Sequence, residues 1–143
     1  MPAITFFEED ISYKLKHKTA VRRWITETIQ AEGYLLQELN YIFCSDRYLL
    51  QINQQYLNHD TYTDIITFDN SALEKSIVGD VFISIDRIRE NAAKFNVTEC
   101  DELHRVIVHG ALHLLGYQDK TRVTKQKMTQ KEDFYLNKRG FIG

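Results

Sequence analysis

Two histidines four residues apart, a glycine three past the second and an aspartate three past the glycine set the tightest constraint on this chain. The stretch reads His109-Gly-Ala-Leu-His113-Leu-Leu-Gly116-Tyr-Gln-Asp119. Helical side chains at i and i+4 project from one face about a turn apart, so the two imidazoles can offer neutral nitrogens to one cation. Gly116 stands where a helix can stop by entering the left-handed conformation open to glycine. A chain reversing there can return Asp119 as a third ligand. The pattern therefore demands a helix, a tight turn and a scaffold that holds both. Its order matches the longer zinc-peptidase pattern, where a glycine turn also delivers the third ligand. Those enzymes place a glutamate directly after the first histidine as general base, and here that position is Gly110. This counts against peptide hydrolysis. It leaves three ligands and an open coordination position, at which a cation lowers the pKa of bound water.

The remaining residues must build the scaffold. With 143 residues, 43% hydrophobic and 27% charged, the chain reads as one globular domain spanning 1–143. No apolar run approaches the ~20 residues of a membrane helix, and MPAITFFEED does not read as a signal peptide. Cys44 and Cys100 form neither a disulfide framework nor a CxxC pair, which points to the reducing cytoplasm.

Strands are expected over 4–7, 39–44, 65–68 and 76–84, the last interrupted at Gly79-Asp80 by a bulge or bend. Helices are expected over 19–33, over 86–96, from Thr98 to Gly116 and over 121–137. Another is capped by Ser45 or Asp46, with Leu49, Leu50, Ile52, Asn53, Tyr56 and Leu57 on one face. The fold class is α+β: a single domain with a small mixed sheet of about four strands, flanked by helices. The metal site lies on a helix and the turn after it.

A net charge of -2 excludes a globally basic nucleic-acid protein. The distribution is uneven, however. Residues 14–23 hold five basic groups and no acid, and residues 120–139 hold seven against Glu132 and Asp133. The second stretch begins directly after Asp119, so positive charge gathers beside the site and makes phosphodiesters the candidate substrate.

HGALHLLGYQD resembles the hallmark HGxLHLxGYDH of the YbeY family, bacterial metal-dependent endoribonucleases of rRNA maturation. The resemblance extends to Thr63, Asp64 and Phe68 within the family's TDVLSF stretch, to Gly79-Asp80-Val-Phe-Ile, and to the approach 102–109, including His104. It implies a mixed sheet flanked by helices, with zinc held by His109, His113 and residue 119. It also implies a zinc-dependent, single-strand-specific endoribonuclease acting in rRNA processing, with single-stranded RNA and the ribosome or its proteins as partners. Two further readings are a zinc-peptidase-like hydrolase and a non-catalytic ribosome-associated module with a structural metal. The latter is normally closed by four protein ligands.

This chain departs from the family pattern twice. Asp119 replaces the usual third histidine, which cancels one charge of the cation and admits iron(II), manganese or nickel beside zinc. Leu57 stands where the family commonly has an arginine suited to a phosphate. His59, Lys120 or a residue of the two basic stretches are candidates to replace that contact. Asp64 and Asp80, at strand ends, are either partners of the ligating histidines or turn caps. His104 is some 140° round the helix from His109, and so reads as a packing or supporting residue. No general base is assigned.

Overall fold

The computed structural model describes residues 3–57 and 63–142. In chain order the elements are β1 (Ile4–Glu8), α1 (Lys18–Ala31), β2 (Leu35–Cys44), α2 (Asp46–Leu57), β3 (Ile65–Asp69) and β4 (Ser76–Ser84). Three helices follow: α3 (Ile85–Phe95), α4 (Glu99–Leu114) and α5 (Arg122–Leu136). The sheet runs β1-β2-β4-β3, with β1/β2 and β2/β4 parallel and β3/β4 antiparallel. This is the α+β class and mixed four-stranded sheet expected from the sequence.

Alternation along the strands sorts side chains onto two faces. Leu39, Tyr41 and Phe43 of β2 and Ile77, Val81 and Ile83 of β4 enter the main core with α1 and α4. Cys44 and Ile66 instead meet Leu49 of α2 in a smaller cluster. Two long-range hydrogen bonds tie the helical layer down: the Tyr41 hydroxyl donates to the Ile107 carbonyl at 2.9 Å, and Trp24 Nε1 to the Tyr135 carbonyl at 2.7 Å.

Local chemistry fixes the helix ends near the expected positions. Ser45, Ser84, Thr98 and Thr121 each accept a backbone N–H at a helix start. Glu99, Asp101 and Glu102 occupy the positive end of α4. α4 stops two residues before the expected Gly116. Gly116 has φ 100°, its N–H donates to the His113 carbonyl at 3.0 Å, and the Tyr117 N–H donates to the Leu112 carbonyl at 3.1 Å. Those two bonds form a complete Schellman motif.

Two expectations need correction. Gly79-Asp80 makes no bulge: β4 is continuous, and the register shift lies on β2 between Leu36 and Glu38. Gly79 is needed for close approach, because a Cβ there would lie 2.8 Å from Leu114 Cδ1 and 3.0 Å from the Phe68 carbonyl. β2 also begins at Leu35, ahead of the expected residue 39, because pairing with β4 extends through a segment too exposed to show apolar alternation.

Gly110 plays the matching part on the helix. A Cβ there would sit 2.9 Å from both Ile65 Cδ1 and Val81 Cγ1. Position 110 therefore faces the sheet rather than solvent, and a side chain there would enter the core. Replacing Gly110 by alanine adds roughly 1 kcal/mol of helix propensity, while overpacking against β-branched neighbours costs about 1–3 kcal/mol. Thermal denaturation of Gly110→Ala is expected to show a lower Tm than the native chain. A higher Tm would mean that the sheet yields at this contact.

Candidate metal centre

α4 and its terminal turn bring three donors together. Asp119 Oδ2 lies 3.4 Å from His109 Nε2 and 3.5 Å from His113 Nε2. Donor atoms around tetrahedral zinc, at about 2.0–2.2 Å from the metal, lie about 3.3–3.6 Å apart. The measured separations match that spacing. Among the described residues, these three are the one His/Cys/Asp/Glu group whose donor atoms all lie within 4.8 Å of one another. All three are half-buried, so the group is reachable from solvent.

The far nitrogen of His109 is committed. His109 Nδ1 lies 2.5 Å from Glu132 Oε2, and Glu132 Oε1 accepts from Arg105 Nη1 at 2.8 Å. Arg105 also reaches Asp133 at 2.6 Å. α5 thus holds the imidazole through Glu132 and leaves Nε2 facing Asp119, the arrangement that fixes the tautomer of a ligating histidine. Burial opposes charge on His109, but the Glu132 hydrogen bond and the carboxylates of Glu132, Asp119 and Asp64 outweigh it and raise its pKa. His113 goes the other way: burial, then the neighbouring His109, lower its pKa.

The site opens into a cleft of roughly 530 Å³, lined by Asp64, Phe95, Glu102, Arg105, His109, Asp119, Lys125 and Glu132 among others. Asp64 therefore joins the site, and burial raises the pKa of its carboxyl although the His109 charge opposes the shift. Burial likewise raises Glu102.

The other expected residues fall elsewhere. Asp80 alternates with Val81, which faces α4, so its carboxylate is on the opposite sheet face. There it accepts from Asn40 at 3.0 Å and Asn70 at 3.3 Å. Lys120 is exposed beside Asp119, and it is Lys125, one turn into α5, that lines the cleft. His59 lies outside the described residues. Leu57, at the end of α2, is 43% exposed. His104 is buried against Trp24 and Phe141, with ring centroids 5.7 and 5.6 Å away, and its Nδ1 accepts from Arg139 at 2.8 Å.

The sequence offered no role for Glu132 or Arg105, and it offered Lys125 only as one of the residues of the basic stretch 120–139. A signal for Glu132 does exist: with Met128 and Tyr135 it occupies the buried stripe of α5. An acid in an apolar stripe must find a partner.

The comparisons with known proteins decide the family. The model of the family described as Endoribonuclease YbeY matches residues 3–140. This chain belongs to the YbeY family. A protein of Cytophaga hutchinsonii named Endoribonuclease YbeY is 54% identical over 138 residues, covering 96% of each chain. One from Porphyromonas gingivalis with the same name is 41% identical, covering 93% of this chain and 87% of its own. The solution structure of a Thermotoga maritima protein superposes with a TM-score of 0.65 at 27% identity, covering 95% of this chain and 88% of the other.

His104 offers a test of its packing role. Burial, aided by the Arg139 charge, lowers its pKa to about 4, from the 6.5 of an ordinary histidine. Between those values the unfolded chain binds the proton and the folded chain does not, so the fold loses stability at this residue as pH falls from about 6.5 toward 4. Urea denaturation of the native chain and His104→Gln across that range is expected to show the native advantage shrinking with acid. A pH-independent difference would place the ring in solvent.

Proposed function

We propose that residues 1–143 form one hydrolase domain, a zinc-dependent endoribonuclease that cleaves single-stranded RNA during rRNA processing and ribosome maturation in the cytoplasm. His109, His113 and Asp119 hold the metal. The observation that carries the reading is the tetrahedral spacing of Asp119 to the two histidines, in a cleft that Lys125 also lines and in a chain whose relatives are named endoribonucleases. Among the described residues no helix is long and apolar enough to cross a membrane.

A divalent cation held there supplies Lewis acidity toward a phosphodiester oxygen and an attacking water. The chain's own residues do the rest. Glu132 and Arg105 hold His109 so that Nε2 points at the donor cluster. Lys125 is the cation in the cleft suited to a phosphate, the role vacated at Leu57. Asp64 is a half-buried carboxyl with a raised pKa on the cleft wall, placed to accept or return a proton. The carboxylate of Asp119 reduces the charge of the centre relative to three histidines, and two histidines with one carboxylate also suit iron(II) and manganese. The peptidase reading loses support from Gly110: a glutamate there would point into Ile65 and Val81, away from the ligands.

Zinc-loaded protein is expected to cleave a single-stranded RNA oligonucleotide, and His109→Ala, His113→Ala and Asp119→Ala are each expected to lose bound metal and at least about 100-fold in rate. Full metal content and cleavage in the histidine variants would overturn the assignment. Lys125→Ala is expected to raise KM for RNA several-fold, with metal content unchanged and kcat within about twofold. An unchanged KM would remove Lys125 from the substrate path.

A further inference from the structure

The Schellman motif fixes the chain as far as Tyr117, and the next helix cap is Thr121. Asp119 lies between them on a turn whose residues Gly116, Gln118 and Lys120 are exposed, so little apolar packing holds it. What holds the turn comes from the far end of α1. Glu32, with a side chain only 11% exposed, accepts the Tyr117 hydroxyl at 2.6 Å, the Lys131 ammonium at 3.1 Å and the Tyr135 hydroxyl. Two residues on, the Tyr34 hydroxyl donates to the Leu115 carbonyl at 3.0 Å. Leu115 and Tyr117, both within the segment that joins His113 to Asp119, are therefore tethered to residues 32–34.

We propose that Glu32 is a positioning residue for the metal: through Tyr117, and together with Tyr34 on Leu115, it holds the turn so that Asp119 meets His109 and His113. The affinity for the cation is thereby set from the C-terminal end of α1. A buried, ionised carboxylate suits this task, because charge-assisted hydrogen bonds are short and strong. Burial pushes the Glu32 carboxyl up, but its three donors outweigh burial and keep its pKa below the usual value. Tyr135 serves as an internal control: its hydroxyl donates to the same carboxylate from α5, and among the described residues no hydrogen bond joins its side chain to the turn.

This inference rests on the metal reading above, and one experiment separates the two. Metal-stripped full-length protein is titrated with zinc by calorimetry and with cobalt(II) by visible absorption. Tyr117→Phe and Glu32→Ala are expected to weaken both metals about tenfold or more and to reduce the cobalt(II) band. Tyr34→Phe moves affinity in the same direction with a smaller perturbation, and carries the test if Glu32→Ala does not fold. Glu32→Gln, which keeps an oxygen toward Tyr117, is expected to recover most of the affinity. Tyr135→Phe is expected to lower Tm while leaving affinity within about twofold. Native affinity in Tyr117→Phe and Tyr34→Phe would overturn the inference and leave the metal site standing. So would an equal loss in Tyr135→Phe, which would mark the effect as general destabilisation. A native chain that binds neither metal would overturn both readings.

Discussion

The close contact between α4 and the sheet is the constraint on which the rest of this structure depends. Gly110 on the helix meets Val81 and Ile65, and Gly79 on β4 meets Leu114. A Cβ at either position would force the surfaces apart. Because interiors are packed to near-crystalline density, such a contact fixes the height and rotation of the helix with little slack. That rotation sends Leu103, Ile107, Ala111 and Leu114 into the core and leaves His109 and His113 on the open side. The packing contact thereby sets the direction in which the imidazoles point.

Charge is then arranged around those imidazoles in a partly dry environment. Glu132 is almost wholly buried, which is tolerable because Arg105 and His109 satisfy both its oxygens. Glu32 is treated in the same way by two tyrosines and a lysine. Glu132 links α5 to His109 and Arg105 of α4, and Glu32, just past α1, links α5 to Tyr117 on the turn after α4. α5 therefore does two jobs despite its largely polar sequence: its basic residues face the cleft and solvent, while its buried acid orients a histidine.

The two basic stretches do not merge at the metal. Lys125 of the second reaches the cleft. Arg23 and Lys138 instead meet round Trp24 and Phe141 elsewhere, and Arg139 is spent on Asp101 and His104. Positive charge at the site is thus local, which agrees with a net charge near zero. Sequence patterns did reveal the strands, the capped helices and the donor triad, because all of these are encoded within a turn or two of chain. The partners of the triad are separated by long stretches: Glu132 from His109 by 23 residues, and Glu32 from Tyr117 by 85. No local periodicity carries such pairings. Asp64 and Asp80 show the same limit: Asp64 directly precedes β3 and Asp80 lies mid-way along β4, and only the tertiary packing against α4 separates the residue of the cleft from the one on the opposite face.

The sequence by itself determined the helix with two histidines on one face, the glycine that ends it and the aspartate that the turn returns. Short-range sterics and hydrogen bonding enforce all of these. Tertiary structure alone decided which residues hold that constellation in place. Gly110 and Gly79 became packing surfaces, Glu132 and Glu32 became anchors, and Lys125 became the cation in the cleft. A buried charge or a missing Cβ acquires its role from what folds against it, and that neighbour comes from a distant part of the chain.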